Sequence, residues 1–250
     1  MNYPPIITVV IASYNSEKTI RRALQSVMDQ EFQDWECLII DGCSKDNTIS
    51  IVQEFVDKDS RFRFISEPDK GIYDAYNKGW QNAKGQWIYY LGSDDWLTKA
   101  GMNEIARHTE TNAAILASYI YLYHMDGEVH KSKAFNGKFA YHQGMIMKRS
   151  VIEALNGFDQ AFEILADSDL VVKCLTSGYK EKDVEAEPIA YFTQGGTSSQ
   201  LSTAIKVIKE KYIIYRKYNY VDHPIIDVWK YAFLKIRSLV YRKIRSIINK

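Results

Sequence analysis

The chain lacks the marks of several classes of protein at once. Only three of its 250 residues are cysteine, Cys37, Cys43 and Cys174, and no two form a CxxC pair. That speaks against a disulfide framework or a zinc site, and a reducing compartment is expected. Cys37 and Cys174 stand in apolar runs and read as small buried hydrophobes. Proline is scarce at 5 residues, and with 46% hydrophobic side chains the composition is far from the disordered or collagen-like extremes. No apolar run approaches the ~20 residues that a bilayer span requires. The opening "MNYPPIITVV" has no basic segment and no small-residue cleavage site, so it reads as the start of a strand rather than a signal peptide. Neither GxxxxGKS/T nor GxGxxG occurs, which excludes a P-loop and the common dinucleotide fingerprint.

Net charge is almost absent too, at +1, but the total hides an asymmetry. From residue 204 onward there are 12 Lys and Arg against 3 Asp and Glu, which leaves 20 and 28 for residues 1–203. An acidic body of −8 therefore carries a basic tail of +9. In the tail Ile225, Trp229, Ala232, Phe233, Ile236, Val240, Ile244 and Ile247 recur at helical spacing, with Lys230, Arg237, Arg242, Lys243 and Arg245 largely off that stripe. This basic amphipathic helix either packs on the body or lies on an anionic membrane surface. The acidic body argues against a nucleic acid partner.

What is present alternates. "IITVVIAS", "ECLIID", "FRFIS" and "QWIYYL" are short apolar runs of strand length. Between them lie helical patterns: Ile20, Ala23, Leu24 and Val27 at i, i+3, i+4, i+7, with Ser16 as a candidate N-cap, then Asn47–Asp57 and Gly71–Ala83. Continuous apolar strands alternating with helices predict an α/β fold with a mostly parallel sheet covered on both faces. Farther on, "MDGEVHKS" predicts a hairpin, "GMIMK" a strand, and Arg149–Leu155 and Asp167–Ser177 helices.

In such sheets ligands bind beyond the carboxyl ends of the strands. The four ends read Ser13-Tyr14-Asn15, Asp41 through Thr48, Glu67 through Gly71, and Gly92-Ser93-Asp94-Asp95. Singly, each has a plain use: Ser44 or Asp46 as a helix cap, Tyr14 and Asn15 in a turn, Asp95 or Thr98 as the cap of the next helix. Together they put acids along one edge. Paired aspartates there suit a divalent cation, Mn²⁺ or Mg²⁺, which takes hard oxygen ligands and often one or two carboxylates with substrate phosphates.

With these pieces assembled, "TVVIASYN", "LIIDGCSKDNT", "SEPDKGIYDAYNKGWQNAKGQWIYYLGSDD", "HQGMIMKRS" and "GFDQAFEILADSDL", the chain resembles the family 2 glycosyltransferases over roughly residues 5–200. The resemblance implies the GT-A nucleotide-sugar fold, a Rossmann-like arrangement. It implies an inverting transfer of sugar from a UDP-sugar donor to a hydroxyl of a glycan or lipid-linked saccharide acceptor in cell-surface polysaccharide assembly. It casts Tyr14 and Asp41 as the pair that recognises the base, with Ser13 and Asn15 beside them. Asp95 becomes the metal ligand, and Ser93 and Asp94 its ribose-side partners. Lys70 or Asn77 falls near the donor, Asp167 matches the general base, and His142, Gln143 and Asp169 lie toward the acceptor. Gly195-Gly196 belongs with that group.

Departures from the family pattern are equally specific. Many relatives have two aspartates where Asp41-Gly42 stands, often a third acid where this chain has Gly92, and a frequent glutamate at the place of Ala166. No QxxRW segment occurs, which disfavours a processive synthase. "ASYNSEKT" lacks the Gly/Arg-rich loop of a nucleotidyltransferase, and a sugar-nucleotide-binding scaffold without turnover is the non-enzyme alternative. The expected layout is a catalytic domain over 1–203, with a nucleotide-sugar half to about 97 and an acceptor half over 98–203, and a basic helical extension over 204–250. A cytoplasmic protein is expected, peripheral on the inner face of the plasma membrane if the tail binds lipid.

Overall fold

The structure, a computed structural model, describes residues 4–124, 127–135, 141–194 and 201–221, together with 225, 226, 229 and 233. A seven-stranded sheet forms the centre. Four parallel strands hold its middle and one edge: β1 (Ile7–Ser13), β2 (Trp35–Asp41), β3 (Phe62–Ser66) and β4 (Trp87–Gly92). Beyond β4, β9 (Met145–Lys148) runs antiparallel, followed by β6 (Ile115–Ala117) and β10 (Glu181–Asp183). The sheet is thus mostly parallel, and it draws strands from both sides of residue 97, where the sequence predicts a division.

Successive residues of β1 point to opposite faces, and both faces are buried. Val9 and Ile11 pack with α1 (Ile20–Met28) and α2 (Thr48–Lys58), through Leu24, Val27, Val52 and Phe55. Val10 packs on the other side with α3 (Ile72–Asn82), α5 (Arg149–Ala154) and α6 (Ala166–Thr176), through Tyr76, Trp80, Ile152 and Leu170. Two-sided burial is why the strand reads as an unbroken apolar run.

A smaller four-stranded sheet joins β5 (Trp96–Leu97), β11 (Ala190–Thr193), β7 (Tyr119–Tyr123) and β8 (Val129–Lys133). β7 and β8 pair antiparallel, as the Asp-Gly signal predicts. The long run "AAILASYIYLY" crosses from one sheet to the other at buried Ser118. A short helix α4 (Gly101–Ala106) lies between β5 and β6.

Three expectations are corrected. α1 begins at Ile20, with Thr19 as its N-cap residue, because Ser16 serves another contact: its hydroxyl meets that of Ser93 at 3.0 Å. In α3 the sequence predicts an apolar face of Ile72, Tyr76, Gly79, Trp80 and Ala83; the last four are buried, but Ile72 is 46% exposed, and Tyr73 and Ala75 join the buried face instead. The boundary placed between residues 203 and 204 falls inside α7 (Leu201–Tyr218). This helix buries Ala204, Val207, Ile214 and Tyr215, and Ile214 and Tyr215 belong to the same cluster as α6. The charge change at 204 therefore marks no structural break. The proposed amphipathic stripe from 225 onward lies outside the described residues apart from Ile225, Ile226, Trp229 and Phe233, each more than half exposed.

Candidate active site

Because β1, β2, β3 and β4 are parallel, their four polar ends emerge on one edge. Neighbouring loops are stitched directly together. Asn15 takes a hydrogen bond from the Lys45 amide at 2.8 Å, and its own amide donates to the Ser44 hydroxyl at 2.8 Å. Asn15 and Cys43 both have positive φ, 49° and 61°. Such backbone in non-glycine residues carries strain and clusters at functional sites. Asp46 accepts from the Thr48 amide and hydroxyl and from the Glu17 amide, which makes it a structural fastener of the α2 entry.

Tyr14 stands at this edge with 63% of its surface exposed, a ring free to stack. Asp41, its expected partner, is fully buried. One oxygen accepts from the hydroxyls of Ser13 and Ser44, the other from the Ser44 amide at 2.9 Å and the Ser66 hydroxyl at 2.8 Å. Four protein donors fill what a carboxylate can accept. With its acceptor positions taken, Asp41 rivets β1, β2 and β3 together, which speaks against the expected contact to a nucleobase. The carboxylate that does face this loop is one the sequence did not single out. Asp69 lies over Gly42, where an added Cβ would sit 2.6 Å from its Oδ2. Its Oδ1 accepts from the Gly71 amide at 2.9 Å, which pins it.

Lys70 is exposed, and its ammonium has no ion pair among the described residues. Asn77 does not reach the edge. Its amide donates to the Phe158 carbonyl at 2.9 Å, and its oxygen accepts from the Phe158 amide at 2.9 Å and the Trp80 indole at 3.0 Å. Every polar atom of that side chain is spent joining α3 to the 158 loop, which corrects its placement near the donor.

At the end of β4, Asp94 and Asp95 fold back over Gly92. A Cβ added to Gly92 would lie 2.5 Å from Asp95 Oδ2 and 3.0 Å from Asp94 Oδ1. Two carboxylate oxygens thus converge on one small space that a side chain would fill. Asp95 is buried, and burial, followed by repulsion from Asp94, pushes its carboxyl up to about 7. A cation is the group that such a pair fits, since it removes the repulsion that raises the carboxyl. No cluster of three or more His, Cys, Asp or Glu side chains occurs among the described residues, so further ligands would have to come from elsewhere. Around the pair, Thr193 donates its amide to Asp95 at 2.7 Å and its hydroxyl to the Asp94 carbonyl at 2.7 Å. Arg22 donates to the same carbonyl and lays its guanidinium 3.6 Å from the Trp96 ring centre.

The second half of the site hangs on a single turn of 3-10 helix, His142–Gly144. Its first two residues reach in two directions. Gln143 donates to Asp95 Oδ2 at 3.0 Å. His142 Nδ1 lies 3.1 Å from Asp167 Oδ2, and its Nε2 lies 3.3 Å from the Tyr76 hydroxyl. Consecutive side chains therefore tie the carboxylate at the end of β4 to the one at the start of α6. Asp167 also contacts the Tyr73 hydroxyl at 3.4 Å. The side chains of His142 and Asp167 keep 21% and 14% of their surface, so the pair is reachable from solvent. Burial raises both Tyr73 and Tyr76 well above their ordinary range, which keeps them as neutral hydroxyl donors.

Asp169 does not join this group. It is buried against α7, where Lys217 Nζ lies 3.2 Å from its Oδ1, so its expected place toward the acceptor is corrected to an interhelical ion pair. Gly195-Gly196 lies outside the described residues.

Known proteins bear on the family and the fold. Over 168 residues, 60% of the chain, it is 29% identical to EpsH of Bacillus subtilis (strain 168), and the matched part spans about half of that relative, 49%. Over 181 residues it is 24% identical to a PGL/p-HBAD biosynthesis glycosyltransferase of Mycobacterium bovis, covering 69% of this chain and 71% of that one. Among solved structures, TarS 1-349 of S. aureus in complex with UDP-GlcNAc superposes with a TM-score of 0.68 at 18% identity, covering 84% of this chain and 65% of that one. The mannosyltransferase PcManGT of Pyrobaculum calidifontis, in complex with GDP-Man and Mn²⁺, gives 0.69 at 16%, covering 92% and 70%. The architecture is therefore the GT-A fold. The family model "Glycosyl transferase family 2" matches residues 8–163, more than half of the chain, and the chain belongs to that family.

Proposed function

We propose that the protein is an inverting, metal-dependent glycosyltransferase. It would move a sugar from a UDP-sugar to a hydroxyl of a glycan or lipid-linked saccharide in cell-surface polysaccharide assembly. One observation carries the reading. Adjacent side chains of the 142–143 turn contact Asp167 and Asp95, which supports a candidate base and a candidate diphosphate-binding end belonging to one site.

In this reading Tyr14 stacks on the uracil, and Asp69, rather than the saturated Asp41, accepts its N–H. Lys70 offers an unpaired ammonium to the donor. Asp94 and Asp95 would hold a divalent cation, Mn²⁺ or Mg²⁺, which would supply positive charge to offset that of the diphosphate. Asp167 takes the proton of the acceptor hydroxyl as that oxygen forms its bond to the anomeric carbon. The bond from that carbon to the phosphate oxygen breaks, and UDP leaves with the electron pair. Attack from the side opposite the departing diphosphate inverts the anomeric centre. His142 holds Asp167 in place through one ring nitrogen while Tyr76 fixes the other.

The exposed Ile225, Ile226, Trp229 and Phe233 and the basic tail around them support a cytoplasmic enzyme resting on an anionic bilayer. Among the described residues no helix is long and apolar enough to cross a membrane.

A thermal-shift screen of nucleotide sugars with and without Mn²⁺ tests the donor assignment, because bound ligand raises apparent stability by mass action. A UDP-sugar with Mn²⁺ should give the largest rise. A larger rise with GDP-sugars, or none with any donor, counts against it. Binding without turnover in any acceptor pool favours the scaffold reading.

A further inference from the structure

The residue that matches the base, Asp167, lies beyond residue 163, where the family match ends. What fixes its position comes from α7. Glu210 is 7% exposed, a carboxylate drawn almost wholly out of water. It accepts three consecutive backbone amides: Glu163 at 3.0 Å on one oxygen, and Ile164 at 3.1 Å and Leu165 at 2.9 Å on the other. These are the residues that lead into α6, and Asp167 is the second residue of that helix. A carboxylate at a helix entry meets both unpaired N–H groups and the positive end of the helix dipole. The same strip is held from its other side, where the Tyr73 hydroxyl donates to the Ile164 carbonyl. Lys206 and Lys217, also on α7, pair with Glu163 and Asp169, which flank Asp167 in sequence.

We infer that Glu210 is a positioning residue for Asp167. By gripping 163–165 it sets where Asp167 meets His142, so a helix outside the family match governs the base. The inference deepens the proposed function and rests on Asp167 being the base. The grip itself can be measured with no donor present.

The test uses the full chain and two readouts. The first is the ring C–H cross-peak of His142, one of 5 histidines, assigned by its loss in His142→Gln. Asp167→Asn should move that peak. Glu210→Ala should move it in the same direction, and Glu210→Gln, which keeps one acceptor oxygen, by less. The second is UDP release from UDP-GlcNAc with Mn²⁺. Glu210→Ala should lower its rate by roughly 10–100-fold, the scale of a small misplacement of a reacting group. In the Asp167→Asn background it should cost nothing further, because two residues that act as one unit are not additive. A folded Glu210→Ala or Glu210→Gln protein whose His142 peak stays at the wild-type position overturns the inference. So does a full, additive loss in the double variant. If wild type releases UDP from neither UDP-GlcNAc nor any other UDP-sugar, the donor reading fails, and the His142 peak still decides the role of Glu210.

Discussion

The strand-end edge and the Asp167 pocket are built by different means. At the edge, Ser13, Asn15, Asp41, Ser44 and Ser66 meet across adjacent parallel strands, whose register brings strand ends together whatever the rest of the chain does. The pocket is assembled from α3, the 142–144 turn, α6 and α7, with contacts such as Tyr73 to Asp167 that span 94 positions. The edge is a rigid product of sheet geometry. The pocket depends on several helices agreeing, so it should be the part most easily detuned without unfolding.

The sharpest way to break that comparison is Asp167→Asn. Transfer should fall by about 10²–10⁴-fold, the range of general base catalysis, while UDP-sugar binding by titration is unchanged. Full transfer would dissociate the pocket from the chemistry. Next in size, Asp41→Asn should cost about 1–3 kcal/mol of stability, because an amide cannot accept all four donors and leaves buried groups unpaired. Asp69→Asn should instead leave the melting temperature near wild type and weaken UDP binding. The opposite pattern in calorimetry would return base recognition to Asp41.

A third, smaller effect concerns pH. In metal-free protein the native Asp95 carboxyl holds its proton to about pH 7, against a usual value of 3.8. Between these values the native state binds more protons than the unfolded chain, so stability declines as pH rises through this window and levels off above it. Asp95→Asn removes that slope. The melting temperature of the variant relative to wild type should therefore climb from pH 5 to pH 8 in EDTA, and added Mn²⁺ should narrow the gap at pH 8. A difference independent of pH would refute the burial argument. The mildest change expected is deletion of residues 225–250, which keeps α7: melting stays near wild type and sedimentation with anionic liposomes is lost. Unchanged sedimentation would remove the membrane role.

The same contrast explains what could be read from the amino-acid order. Strands β1 to β4 and their polar ends were legible, because they rest on local periodicity, and short motifs picked out Asp95, Asp167, His142 and Gln143, which the fold links through adjacent side chains. Three of the misplacements are long-range. Ser16 looked like a cap, but its hydroxyl meets Ser93, 77 positions away. Asn77 is expected near the donor, but Phe158, 81 positions away, consumes it. Asp169 seemed to face the acceptor until Lys217, 48 positions on, neutralised it. Periodicity reports which face is apolar; it carries no record of which distant backbone a polar side chain will meet. Charge composition misled at residue 204 for a related reason: a helix can be basic outside and still bury its other side.

Gly42 and Gly92 stand where the family resemblance implies an acid, and each is roofed by carboxylate from another position, Asp69 over one and Asp94 with Asp95 over the other. Counted along the chain, the motif looks depleted. Counted in space, the charge has only changed its address. Aspartate at either glycine would not complete the site; it would lodge a further anion where carboxylate is already seated.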